Sequence, residues 1–125
     1  KMNEKQLRNK IQNEANVVIY TGLLKTVAPN ISENDYIVSA FDCQHNTTKG
    51  SDLAVVVATN TKILIATDRF FKKNDLQIIN KSQITDMYTA DSLFKKHLII
   101  RTINRTFKIV KIKQNKQLAN LISAF

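Results

Sequence analysis

Apolar side chains in the first 28 residues recur at spacings of three and four, as in Leu7, Ile11, Ala15, Val18, Gly22 and Leu23. This spacing predicts a helical segment from about Asn3 to Ala28. Asn3 followed three positions later by Gln6 forms a capping box at its start. Gly22 and the polar Asn13–Asn16 stretch mark points where the helix bends or divides. Pro29 is expected to end it, because the residue before a proline is pushed out of the helical region. Beyond Asn30 the period shortens to β-branched runs broken by polar clusters. Seven strands are predicted: Tyr36–Cys43, Leu53–Thr59, Lys62–Thr67, Leu76–Ile79, Ile84–Ala90, Leu98–Thr102 and Thr106–Ile112. Asn60-Thr61 and Ile103-Asn104 are the right length for tight hairpins, so the strands form mostly a meander. At the end the period changes back: Leu118, Leu121, Ile122 and Phe125 make one apolar stripe on a helix from about Gln114 to Ala124.

The implied fold class is mainly β with helices (α+β). It is a seven-stranded antiparallel barrel or sandwich with a C-terminal capping helix, preceded by an N-terminal helical segment. Leu118, Leu121 and Phe125 are expected to sit against strands carrying Phe41, Val55, Ile65, Ile84 and Phe107. Two parts follow, a helical extension over residues 1–29 and a β domain over 30–125. The extension also carries Val17, Ile19, Tyr20 and Leu24. It has more apolar surface than one barrel edge covers, which predicts a homo-oligomer.

Composition narrows the setting. With 125 residues the chain buries a core without staples. Its single cysteine, Cys43, makes no internal disulfide, no apolar run reaches a bilayer span, and the polar start is no signal peptide. A cytoplasmic protein is expected, membrane-peripheral at most. The net charge of +9 is uneven: residues 29–68 carry net −3, whereas residues 69–113 carry net +8. The second half therefore favours an anionic partner, whether lipid headgroups, an acidic protein surface or nucleic acid.

Enzyme chemistry finds little to work with. Cys43 and His45 would share a strand face, with Asp42 and His97 conceivable neighbours, but a zinc site needs three or four ligands and a nucleophilic cysteine needs an electropositive setting. The only glycines, Gly22 and Gly50, build no phosphate loop. No catalytic residue, metal or cofactor is expected.

Two basic, aromatic connections stand out instead. Arg69-Phe70-Phe71-Lys72-Lys73 links the third and fourth strands, and Leu93-Phe94-Lys95-Lys96 links the fifth and sixth. In a meander both fall at one end unless a bend between the two sheets separates them; if they converge, Lys49 of the first connection joins them. Basic loops with exposed rings suit an anionic bilayer. The competing reading folds Phe70, Phe71 and Phe94 back into the core and leaves the lysines as solvated loop charges. A nucleic-acid binder would add Arg101, Arg105, Lys108, Lys111 and Lys113. Strand alternation puts Lys108 opposite Arg105 and Lys111, and no aromatic pattern for stacking bases accompanies them.

The order of seven strands and one helix resembles the pleckstrin-homology-like superfold. Pro29-Asn30-Ile31-Ser32-Glu33 followed by Tyr36–Phe41 is similar to the opening of bacterial PH-like domains, most closely the YokE-like group. Ala58–Ile65 resembles that group's hairpin of threonine, short turn, basic residue and apolar strand. Lys81–Thr85 resembles the segment that opens its second sheet, and Phe107–Phe125 its last strand and helix. The resemblance covers residues 30–125 and implies a non-enzymatic interaction or membrane-peripheral module. Phosphoinositide-binding PH domains carry several basic residues on the first two strands; here the Gln44–Ser51 stretch offers only Lys49. The tryptophan of eukaryotic closing helices is also absent, with Leu121 or Ile122 in its place.

Overall fold

A computed structural model describes residues 1–69, 72–92 and 95–125. Helix α1 spans Glu4–Ala15 and opens with the expected capping box, Asn3 and Gln6 exchanging side-chain to backbone hydrogen bonds of 2.9 Å. It stops at Asn16, whose φ of 55° is the left-handed conformation asparagine tolerates better than other side chains with a Cβ. The predicted single helix is thus divided within the polar stretch. Helix α2 covers only Leu24–Val27 and runs into a 3-10 turn over Ala28–Asn30. Pro29 does not stop the backbone as expected: Ala28 stays helical at φ −52° and ψ −44°. In the first turn of a 3-10 segment the missing proline N–H would have lacked a partner anyway.

The strands are β1 (Ile37–Thr47), β2 (Gly50–Thr59), β3 (Lys62–Thr67), β4 (Asp75–Asn80), β5 (Ile84–Ser92), β6 (Lys95–Thr102) and β7 (Thr106–Val110). They form one antiparallel seven-stranded sheet in the order β4-β3-β2-β1-β7-β6-β5, curled into a half-barrel. Helix α3 (Asn115–Ala124) closes it. β1 and β2 are longer than predicted: Gln44–Thr47 and Gly50–Asp52 continue the ladder, and Thr48-Lys49 is the turn. Gly50 takes φ 120° there, a conformation L side chains rarely adopt.

The sheet has cores on both faces. Inside the curl, Phe41, Cys43, Val56, Ile63, Ile65, Leu98, Ile100, Phe107 and Ile109 pack with Leu118 and Leu121 of α3. On the outer face, Leu7, Ile11, Ile19, Leu24 and Val27 pack against Ala40, Val55, Val57, Leu64 and Ala66. Val55 therefore faces α1, not the closing helix as predicted, and Val56 takes the inner position. Of the apolar side chains from which self-association was expected, Ile19 and Leu24 are covered by the chain's own sheet, whereas Val18 and Tyr20 are exposed. Fully burying each valine, leucine, isoleucine or phenylalanine of the two cores is worth about 1.5–3 kcal/mol.

β7 pairs with β1 only at Gln44–Asn46. Beyond that short ladder, side chains from both helices take over the β1 edge. The Ile37 N–H donates to Glu14 Oε1 at 2.8 Å, the Ala40 N–H to Gln117 Oε1 at 3.2 Å and the Asp42 N–H to Gln114 Oε1 at 2.9 Å. These bonds satisfy backbone donors that no strand reaches.

Candidate functional site

The β1–β2 hairpin projects Lys49 into solvent. Its turn is held by the Thr47 hydroxyl, which donates to the Gly50 carbonyl at 3.1 Å and accepts from the Lys49 N–H at 3.3 Å. The β3–β4 connection starts beside it, because the Asp68 N–H donates to the Leu53 carbonyl at 2.8 Å. The Lys72 N–H then donates to the Arg69 carbonyl at 2.7 Å, turning the chain so that both cations stay on this end. The outcome is a depression of about 350 Å³ lined by Thr47, Thr48, Lys49, Asp52, Arg69 and Lys72. Three cations against one carboxylate give it a positive field suited to an anionic group.

Of the nine residues expected at the basic end, the structure brings together Lys49, Arg69 and Lys72. Lys73 is exposed beside them but does not line the depression. Phe70, Phe71 and Phe94 lie outside the described residues. Lys95 and Lys96 are not loop residues: they begin β6, both exposed. Lys95 lines a different cleft of about 390 Å³, with Lys111 and Lys113 from the β7–α3 connection. The two connections that looked like one basic end therefore feed two separate depressions.

The cysteine and histidine on β1 are buried. Cys43 sits in the inner core, and burial, reinforced by the neighbouring Asp42 charge, pushes its thiol far above the usual range. It is held protonated and is a poor nucleophile. His45 stacks on Phe107 at 6.2 Å, and its Nδ1 lies 3.3 Å from the Thr67 hydroxyl. Burial, with the Arg105 charge, lowers its pKa, so the neutral ring is favoured. Among the described residues no three His, Cys, Asp or Glu side chains gather as a metal site, nor is any helix long and apolar enough to cross a membrane.

The basic residues weighed for nucleic acid are scattered. Arg101 donates to the Tyr88 hydroxyl at 3.1 Å, and Arg105 donates to Gln77 at 3.0 Å while lying over the Phe107 ring. The hairpin motif is structural: the buried Thr59 hydroxyl accepts from the Thr61 and Lys62 N–H groups, both at 3.2 Å, and Lys62 Nζ donates to the Asn30 carbonyl at 2.9 Å. Sequence reasoning missed Gln114 and Gln117. Their signal is an amide at 117, directly before the apolar Leu118, in a helix that must close an open seam.

A family model described as bacterial PH domain matches residues 31–125. No curated protein matches the chain in sequence. Among solved structures, the C-terminal domain of an unknown protein from Leishmania infantum is similar, with a TM-score of 0.64 at 13% identity. The match covers 97% of this chain and 95% of that one, so the likeness in fold takes in the N-terminal helices as well as the sheet.

Proposed function

The chain belongs to the bacterial PH domain family, and on that premise we propose that it is a non-enzymatic docking module for anionic membrane surfaces, within the YokE-like group. Lys49, Arg69 and Lys72 are its contact residues. The observation that carries this reading is their convergence from two separate connections on one depression of about 350 Å³. Each lysine near an anionic headgroup layer contributes about 1 kcal/mol, so three such cations give reversible, salt-sensitive binding. Phe70 and Phe71, between Arg69 and Lys72 in sequence, are the rings available to enter the interface. Headgroup charge is the selected feature, because the β1–β2 hairpin brings only one lysine to the site and no dense basic pattern for a single inositol phosphate.

An acidic protein surface would use the same cations and is the competing partner. Nucleic acid is disfavoured because Arg101 and Arg105 engage Tyr88 and Gln77 and Lys111 and Lys113 line another cleft. The test is co-sedimentation with phosphatidylglycerol and phosphatidylcholine vesicles and with a single-stranded oligonucleotide, for the wild type and a Lys49→Glu, Arg69→Glu, Lys72→Glu variant. Wild-type binding to the anionic vesicles alone, lost in the variant, is expected. Anionic binding retained by the variant, or stronger binding to the oligonucleotide, overturns the reading.

A further inference from the structure

The second cleft, about 390 Å³, lies where the linker before α2, the middle of β1 and β2, and the β7–α3 connection meet. Its buried apolar lining comes from both cores, Leu23 from the outer one and Cys43, Ala54 and Ile112 from the inner one. Leu53 lines it too and is 61% exposed, an apolar side chain left at the mouth in contact with water. Lys95, Lys111 and Lys113 form the other side, all exposed and none in an ion pair among the described residues. The acidic side chain in the lining, Asp42, accepts from Gln114 Nε2 at 3.1 Å and keeps its charge, so three cations stand against one carboxylate.

Lys111 adds an independent observation. Its φ of 52° is in the left-handed region, unfavourable for a side chain with a Cβ. A glycine would be unstrained there, yet the position carries a long cationic side chain on the cleft. Such outliers concentrate where geometry serves a ligand.

We propose that this cleft binds a single-chain anionic amphiphile, a fatty carboxylate, with the chain along Leu23 and Leu53 and the head among Lys95, Lys111 and Lys113. Apolar lining, exposed apolar lip and unpaired cations are segregated as the chain and head of such a molecule are. The volume is at the small end of the roughly 300–1,000 Å³ typical of small-molecule sites, which favours one short chain over a two-chain lipid. This site shares no residue with the Lys49–Arg69–Lys72 depression and does not depend on the docking role proposed for it.

The test is fluorescence titration of the full chain with dansyl-undecanoate, followed by displacement with laurate, dodecanol or acetate. The expected result is saturable binding that laurate reverses and that the uncharged alcohol and the chainless acid do not. A Lys95→Gln, Lys111→Gln, Lys113→Gln variant should bind roughly tenfold more weakly, as for three ion pairs of about 0.5 kcal/mol each. Leu53→Asp, at an exposed position, should weaken binding comparably, and circular dichroism checks that both variants keep the fold. A Lys49→Gln, Arg69→Gln, Lys72→Gln variant should bind the dye unchanged. Absence of saturable binding, displacement by dodecanol as effective as by laurate, or loss of binding only in the Lys49 variant would overturn the proposal.

Discussion

Gln117 Nε2 donates to the Ala15 carbonyl at 2.9 Å, joining residues 102 positions apart. The same buried amide accepts the Ala40 N–H through Oε1. One side chain on the closing helix therefore ties the C-terminus of α1 to the open edge of β1. An apolar residue there would leave a backbone donor and a backbone acceptor without their side-chain partners in a buried seam. Gln117→Leu is expected to cost about 2–4 kcal/mol, and Gln114→Ala, at a half-buried position, about 1 kcal/mol. Urea unfolding of both variants checks the ranking; equal midpoints for Gln117→Leu and wild type would contradict it.

The outer core packs the N-terminal helices onto the family-matched segment. Ile11 is fully buried in the cluster that covers Val55, Val57 and Leu64. Ile11→Ala should destabilise the chain by about 2–5 kcal/mol. Removing residues 1–29 should expose that strand face and yield an insoluble or unfolded 30–125 fragment, read by circular dichroism and soluble yield. A cooperative, soluble fragment would show that the helices are dispensable.

Much of the fold was legible because local pattern and tertiary demand agree. The capping box, the β3 bounds and the Leu118–Leu121 stripe all follow from spacing alone. Val55 was misassigned because alternation carries no information when both faces of a strand are covered, and β2 from Ala54 to Thr59 is buried at every position. Gln44–Asp52 looked like a loop because a hairpin arm that projects beyond the core has no apolar face. Of the candidate site, residue types and charge were readable, but the partition of lysines was not. Lys95 joins Lys111 and Lys113 through β6–β7 pairing and the turn after β7, and neither register nor turn direction is encoded in a count of charges.

His45 sets an acid limit on stability. Its folded pKa is lowered, so below the unfolded value of about 6.5 the unfolded chain binds more protons than the folded one. The neutral ring's contribution is therefore complete above that value and falls as pH drops below it. Urea midpoints at pH 7.5 and pH 5.5 should separate, and His45→Gln, which retains a polar partner for Thr67, should reduce the separation. An unchanged pH dependence in the variant would assign the acid loss to other groups.

Cys43 reports on opening of the inner core. The thiol is buried, and its pKa is raised chiefly by that burial, so little thiolate exists at neutral pH. Labelling by a thiol-reactive disulfide should be slow in the native protein and fast in urea. The destabilised Ile11→Ala chain should label faster than wild type, about tenfold for each 1.4 kcal/mol of stability lost. Rapid labelling of the native wild type would mean that the cleft beside Cys43 admits the reagent directly.

Lys111 separates stability from ligand recognition. With φ at 52°, Lys111→Gly should relieve backbone strain and stabilise the fold by up to about 1 kcal/mol, whereas Lys111→Ala, which retains the Cβ, should not. Asn16 has a similar φ of 55°, but its short polar side chain tolerates the conformation, so Asn16→Gly should gain less. Thermal unfolding of the three variants tests the order, at about 4 °C for each kcal/mol. If the cleft holds a fatty carboxylate, Lys111→Gly also loses laurate affinity while gaining stability, the opposite of what a merely damaged fold would do. A Lys111→Gly chain less stable than wild type would mean that contacts of the lysine side chain outweigh the strain, and the conformation would need no functional reason.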